Sequence, residues 1–115
     1  MSQLAAGLFF ITVMLGVSFL AKAMRADGSR ASSGLRSLHD LLGTSALVLT
    51  IYAAIGRHTS TLAWEAMGLA GTALVLGVVM RTTYARLGSS RGMVLLIHAA
   101  LGGSGAIILI ATALG

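Results

Sequence analysis

Two histidines stand inside otherwise apolar stretches of this chain. Each opens the same short string, His39–Asp40–Leu41–Leu42–Gly43 and His98–Ala99–Ala100–Leu101–Gly102, with a serine two positions past each glycine, Ser45 and Ser104. An ionisable side chain within an apolar span is costly in lipid and marks a functional site by default. A neutral imidazole can offer one ring nitrogen to a metal. Two imidazoles at equal depth on facing helices could grip an iron from both sides of a planar ring, as a haem requires. His39 and His98 are therefore the candidate axial ligands of one haem b. The glycine four residues after each histidine lies one turn along the same helix face. Gly43 and Gly102 would leave a flat surface for the porphyrin, and Leu42 and Leu101 could pack on it. The second nitrogen of a ligating histidine commonly donates to an acceptor that fixes its tautomer. The expected acceptors are the carbonyls one turn back, those of Leu35 and Val94.

The composition says what must carry these side chains. The 115 residues are 57% hydrophobic and 10% charged, with 15 glycines, no proline and no cysteine. A soluble chain this short could not hide so much apolar surface. The expected class is an integral membrane protein, one domain over residues 1–115. Without cysteine there are no disulfides, thiolate metal sites or cysteine nucleophiles. The net charge of +5 does not suggest nucleic acid, because the basic residues fall between apolar runs and form no stripe with interleaved aromatics. With no Lys or Arg ahead of the first apolar run, a cleaved signal peptide is not expected.

Four apolar runs follow, predicting helices over about 4–24, 35–56, 62–84 and 92–114. Between the first two lies Arg25–Gly34, whose Gly/Ser-rich composition is that of a flexible connector. Arg57–Thr61 is a short polar turn, and short turns join antiparallel neighbours. Arg86–Arg91 is the third connector. Trp64 and Tyr84 suit the two interfacial belts. Arg36 stands four residues before Asp40, so the two can pair on one helix face. Gly68, Gly71, Gly103 and Gly105 are expected at close helix contacts. His58 sits in a turn, Met67, Met80 and Met93 read as core filler, and Glu65 suits a helix start.

The halves resemble each other. Leu15–Gly16–Val17 and then Arg25 recur as Leu76–Gly77–Val78 and then Arg86, both offset by 61 residues, while the histidine strings are offset by 59. A repeated helical pair implies a pseudo-two-fold axis along the membrane normal. The fold expected is thus an all-α, membrane-embedded four-helix bundle built as a tandem repeat. Seven of the eight basic residues lie in or beside the first and third connectors. The positive-inside rule places those connectors in the cytoplasm and both termini outside, in a bacterial inner or thylakoid-type membrane. The histidines then lie near the cytoplasmic face. Arg36 and Arg91 would sit closest to the haem propionates, with the N-termini of helices 2 and 4 adding positive partial charge.

Paired His-x-x-Leu-Gly strings on alternate helices resemble cytochrome b-561 and the wider ferric-reductase-like transmembrane haem b proteins. The likeness covers helices 2 and 4. It implies electron transfer to or from a partner protein or a quinone, with one haem where larger relatives carry two. Two readings compete: a non-redox accessory subunit of a larger respiratory or photosynthetic complex, and a chlorophyll-binding subunit. Homodimerisation stays open. A small multidrug transporter is disfavoured, since such proteins use an acidic residue in helix 1 and residues 4–21 hold none.

Overall fold

The computed structural model describes residues 3–23, 33–88 and 91–114. The connector at 24–32 and the pair 89–90 lie outside the described residues, and so does the expectation of a flexible first connector. The chain forms α1 (Gln3–Ala23), α2 (Ser33–Ala54), α3 (Thr61–Leu87) and α4 (Arg91–Leu114). Each helix is long and apolar enough to cross a membrane. No proline interrupts any of the four runs.

The helix ends have local causes. Gly56 takes φ 77°, a left-handed conformation that closes α2 two residues earlier than the hydropathy suggests. Ser60 caps α3, its hydroxyl accepting from the Ala63 amide at 3.2 Å. α3 runs to Leu87, three residues past its expected end, and Gly88 with φ 55° stops it. Thr83 leaves helical geometry (φ −122°, ψ 15°), and its hydroxyl donates to the Val79 carbonyl at 2.6 Å. Such back-bonding competes with the helical ladder and bends helices.

The helices pack as a four-membered ring in which each touches its two neighbours, and the backbones of the diagonal pairs α1/α3 and α2/α4 stay apart among the described residues. α3 and α4 share the largest interface, α2 and α3 the smallest. Gln3 at the start of α1 donates to the Ala113 carbonyl at the end of α4, so these two helices are antiparallel. Contacts of Asp40 with Arg81 and of Gly71 with Leu47 give the same sense to α2 and α3. Gly16 faces His39 and Thr12 faces Gly43, so α1 and α2 are antiparallel too, and α2 and α4 run in the same direction, on a diagonal.

The dry core comprises Phe9, Ala46, Leu47, Ala54, Ala63, Ala66, Met67, Ala106 and Leu109. It fills the end nearer the α2–α3 turn. Small side chains dominate, as expected where lipid supplies no hydrophobic drive and helices must gain contact by close approach. The tightest approach is at Gly105, where an added Cβ would lie 2.8 Å from the Ala66 carbonyl oxygen. Gly71 meets only Leu47 at 3.9 Å, while Gly68 and Gly103 have nothing within 4 Å. The expectation of close contacts at Gly68 and Gly103 is thus corrected, because a Cβ at either would stand in open space.

Candidate functional site

Toward the opposite end, α2 and α4 each present one histidine to the bundle interior. His39 is six residues into α2 and His98 seven into α4, so each lies about 9–11 Å from its helix start. Both are half-buried. Their ring centres are 6.3 Å apart and the planes cross at 71°. The structure thus brings together two side chains 59 positions apart in sequence, on helices whose backbones do not touch.

Each ring is held from the helix that precedes its own. His39 Nδ1 donates to the Thr12 carbonyl at 2.9 Å, and His98 Nδ1 donates to the Ala73 carbonyl at 2.7 Å. A carbonyl can only accept, so the hydrogen is on Nδ1 in both rings, and in the neutral ring Nε2 then carries the lone pair. The expected acceptors, Leu35 and Val94, are replaced by Thr12 and Ala73. The rings lean outward onto the neighbouring helix rather than back along their own. One turn beyond each acceptor stands a glycine. An added Cβ on Gly16 would lie 3.2 Å from His39 Cε1, and one on Gly77 would lie 3.1 Å from His98 Cε1. Phe19 completes the first ring's surroundings, edge-on to His39 at 5.3 Å.

The glycines of the two strings serve this same approach. A Cβ on Gly43 would meet the Thr12 methyl at 3.1 Å, and one on Gly102 would meet the Ala73 methyl at 3.2 Å. The space beside Gly43 and Gly102 is therefore taken by α1 and α3, at the very residues whose carbonyls hold the rings. A flat wall facing the space between the histidines is not what these two glycines provide. Leu42 and Leu101 are half-buried.

The charges around the site differ from expectation. Asp40 pairs with Arg81 of α3, whose guanidinium also reaches Ser37 at 2.9 Å. Arg36 is exposed and is not the partner of Asp40. Sequence spacing favours the neighbour on the same helix, but Arg81 can bond Asp40 and Ser37 together across the thinnest seam. Both partners are about half exposed, so the pair ties the seam weakly. Arg36 and Lys22 lie at this end of the bundle; the Arg91 side chain lies outside the described residues. His58 is exposed in the α2–α3 turn, Met67 is in the core, and Met93 and Glu65 are exposed.

A metal held between the two Nε2 atoms would find only two protein ligands. Among the described residues no group of three or more His, Cys, Asp or Glu converges. Protein-only metal sites take about four ligands, so the donor set fits a metal that brings its equatorial ligands with it. The spacing fits too. For two Nε2 atoms facing one metal, a metal–imidazole bond of about 2.0–2.1 Å plus ~1.2 Å from nitrogen to ring centre, taken twice, gives about 6.4–6.6 Å between ring centres. The observed separation is 6.3 Å.

Fold and site together define an all-α bundle of membrane-spanning length with a paired imidazole site in its interior. No protein-family model, curated protein or solved structure matches the chain.

Proposed function

We propose that this chain is a membrane-embedded b-type cytochrome that holds one haem between His39 and His98 and passes single electrons. The observation that carries the reading is the ring pair itself: 6.3 Å between centres, with both Nδ1 atoms committed to main-chain carbonyls. When bound, the haem iron supplies the one-electron couple. The chain's own residues supply the rest. His39 and His98 would hold the haem through two neutral imidazole nitrogens, and ligation by two such residues would favour electron transfer over oxygen chemistry. Thr12 and Ala73 carbonyls hold the rings in the productive tautomer and raise ligand basicity. The apolar bundle excludes water, which limits the charge reorganisation that accompanies each electron. Arg36, Lys22 and the N-termini of α2 and α4 offer positive charge for propionates at the nearer end.

The same reading makes the molecule a tandem repeat of two helical hairpins about a pseudo-two-fold axis along the membrane normal. Its support is the matched set of contacts. Thr12 and Ala73 differ by 73 − 12 = 61 positions, and Gly16 and Gly77 by 77 − 16 = 61. His39 and His98 differ by 98 − 39 = 59, as do Gly43 and Gly102. With basic connectors in the cytoplasm and both termini outside, a haem held by the histidine pair would lie off-centre in a hydrocarbon core about 30 Å thick. One such centre does not span that distance, so a partner protein or a quinone takes up the electron elsewhere. The likeness of the paired strings to cytochrome b-561 agrees with this assignment.

The test is an absorption spectrum of the purified protein, oxidised and dithionite-reduced, with pigment extraction. Sharp bands of reduced six-coordinate haem b are expected in the wild-type protein, and their loss in His39→Ala and in His98→Ala. An extracted chlorin, or unchanged pigment in both variants, overturns the assignment.

A further inference from the structure

The two glycines beneath the rings carry an inference that rests on the haem reading and goes past it. Each imidazole is fixed at its own Cα and by the Nδ1 hydrogen bond, and its Cε1 occupies the space that a Cβ on Gly16 or Gly77 would crowd, at 3.2 and 3.1 Å. The acceptor and the glycine are one turn apart on one helix, Thr12 with Gly16 and Ala73 with Gly77. The ring edge therefore lies along the bare backbone of α1 or α3. Rotation about the Cβ–Cγ bond would break the hydrogen bond or drive Cε1 into the helix. Each ring takes its direction from its own helical hairpin, and the 71° between planes follows from how the two hairpins sit.

We infer that Gly16 and Gly77 are positioning residues that set the angle between the two ligand planes on the iron, and that this angle is steep. An imidazole donates π density only into the metal d orbital perpendicular to its ring. Parallel rings load one of the two dπ orbitals and split the pair. Crossed rings load both, keep them nearly equal in energy, and leave the ferric ion with a strongly anisotropic low-spin signal. Parallel alignment stabilises the ferric state more, so crossing raises the reduction potential, alongside hydrogen bonding and burial.

The experiment is low-temperature electron paramagnetic resonance of the oxidised protein in detergent, with haem content and midpoint potential measured on the same samples. The wild-type protein is expected to show the single large-g feature of crossed ligands. Gly16→Ala and Gly77→Ala push Cε1 away by a few tenths of an ångström, and Gly16→Val pushes it further. The signal is expected to move toward the ordinary rhombic form in that order, with a falling midpoint potential and haem retained. An ordinary rhombic signal in the wild-type protein overturns the inference even if no variant folds. So does an unchanged signal in variants that hold full haem. A wild-type protein that binds no haem overturns the cytochrome reading, and the inference falls with it.

Discussion

Gly105 offers the sharpest test of how the bundle positions its site. A Cβ there would lie 2.8 Å from the Ala66 carbonyl oxygen, 3.0 Å from the Ala70 nitrogen and 3.2 Å from Leu69 Cβ. Two of these are main-chain atoms that cannot swing aside. Restoring ordinary contact of about 3.4 Å requires α3 and α4 to part by roughly 0.6 Å. Overpacking of this kind costs about 1–3 kcal/mol. Replacing a helical glycine by alanine returns about 0.5–1 kcal/mol of conformational entropy. Gly105→Ala is thus expected to lose up to about 2.5 kcal/mol net. Gly103→Ala, two residues away with nothing within 4 Å, keeps the gain alone. The difference between the two variants is expected at about 1–3 kcal/mol, roughly 5- to 150-fold in the folded ratio. The displacement also reaches the site. Gly105 is two turns from His98, whose bond to Ala73 is only 2.7 Å long. A 0.6 Å parting carried that far would stretch it to about 3.3 Å, beyond the useful range. Equilibrium unfolding in mixed micelles, followed by far-ultraviolet circular dichroism, measures the difference. Equal stability of the two alanine variants would refute the packing argument.

Other consequences are as checkable. Asp40→Asn is expected to cost no more than about 1 kcal/mol, less at high salt, because both partners of the Arg81 pair are about half exposed. A loss above about 2 kcal/mol in the same unfolding assay would mean the seam depends on the pair far more than its exposure implies. Ser60→Ala removes the cap of α3 and is expected to destabilise by about 1 kcal/mol, read by the same titration. Acidification is expected to release the pigment, since a proton on Nε2 competes for the lone pair that binds the metal. A pH series of reduced spectra checks this, and constant binding down to the pH where the bundle unfolds would count against imidazole ligation.

The architecture is legible in the chain because lipid imposes a length. Four apolar runs without proline leave little choice, and the helix starts and stops fall within about three residues of those runs. The histidine pair is legible because a polar ring in an apolar span stands out. What holds the rings is not legible in the same way. A main-chain carbonyl has no residue signature, so nothing in Thr12 or Ala73 announces an acceptor. The available signal was the duplicated Leu-Gly-Val string at 15–17 and 76–78, which marks the repeat without revealing that its glycines lie under the imidazoles. Asp40 misleads for a related reason. Spacing along α2 points to Arg36, and only the ring order of helices brings Arg81 beside it.

The two acceptors are atoms that every amino acid possesses, and this shapes how the protein can change. Positions 12 and 73 already hold different residues, a threonine and an alanine, in the same role. A saturation library should therefore tolerate many small replacements there while rejecting bulk at 16 and 77. Selection acting on this interior would leave its imprint as missing side chains, not as retained ones.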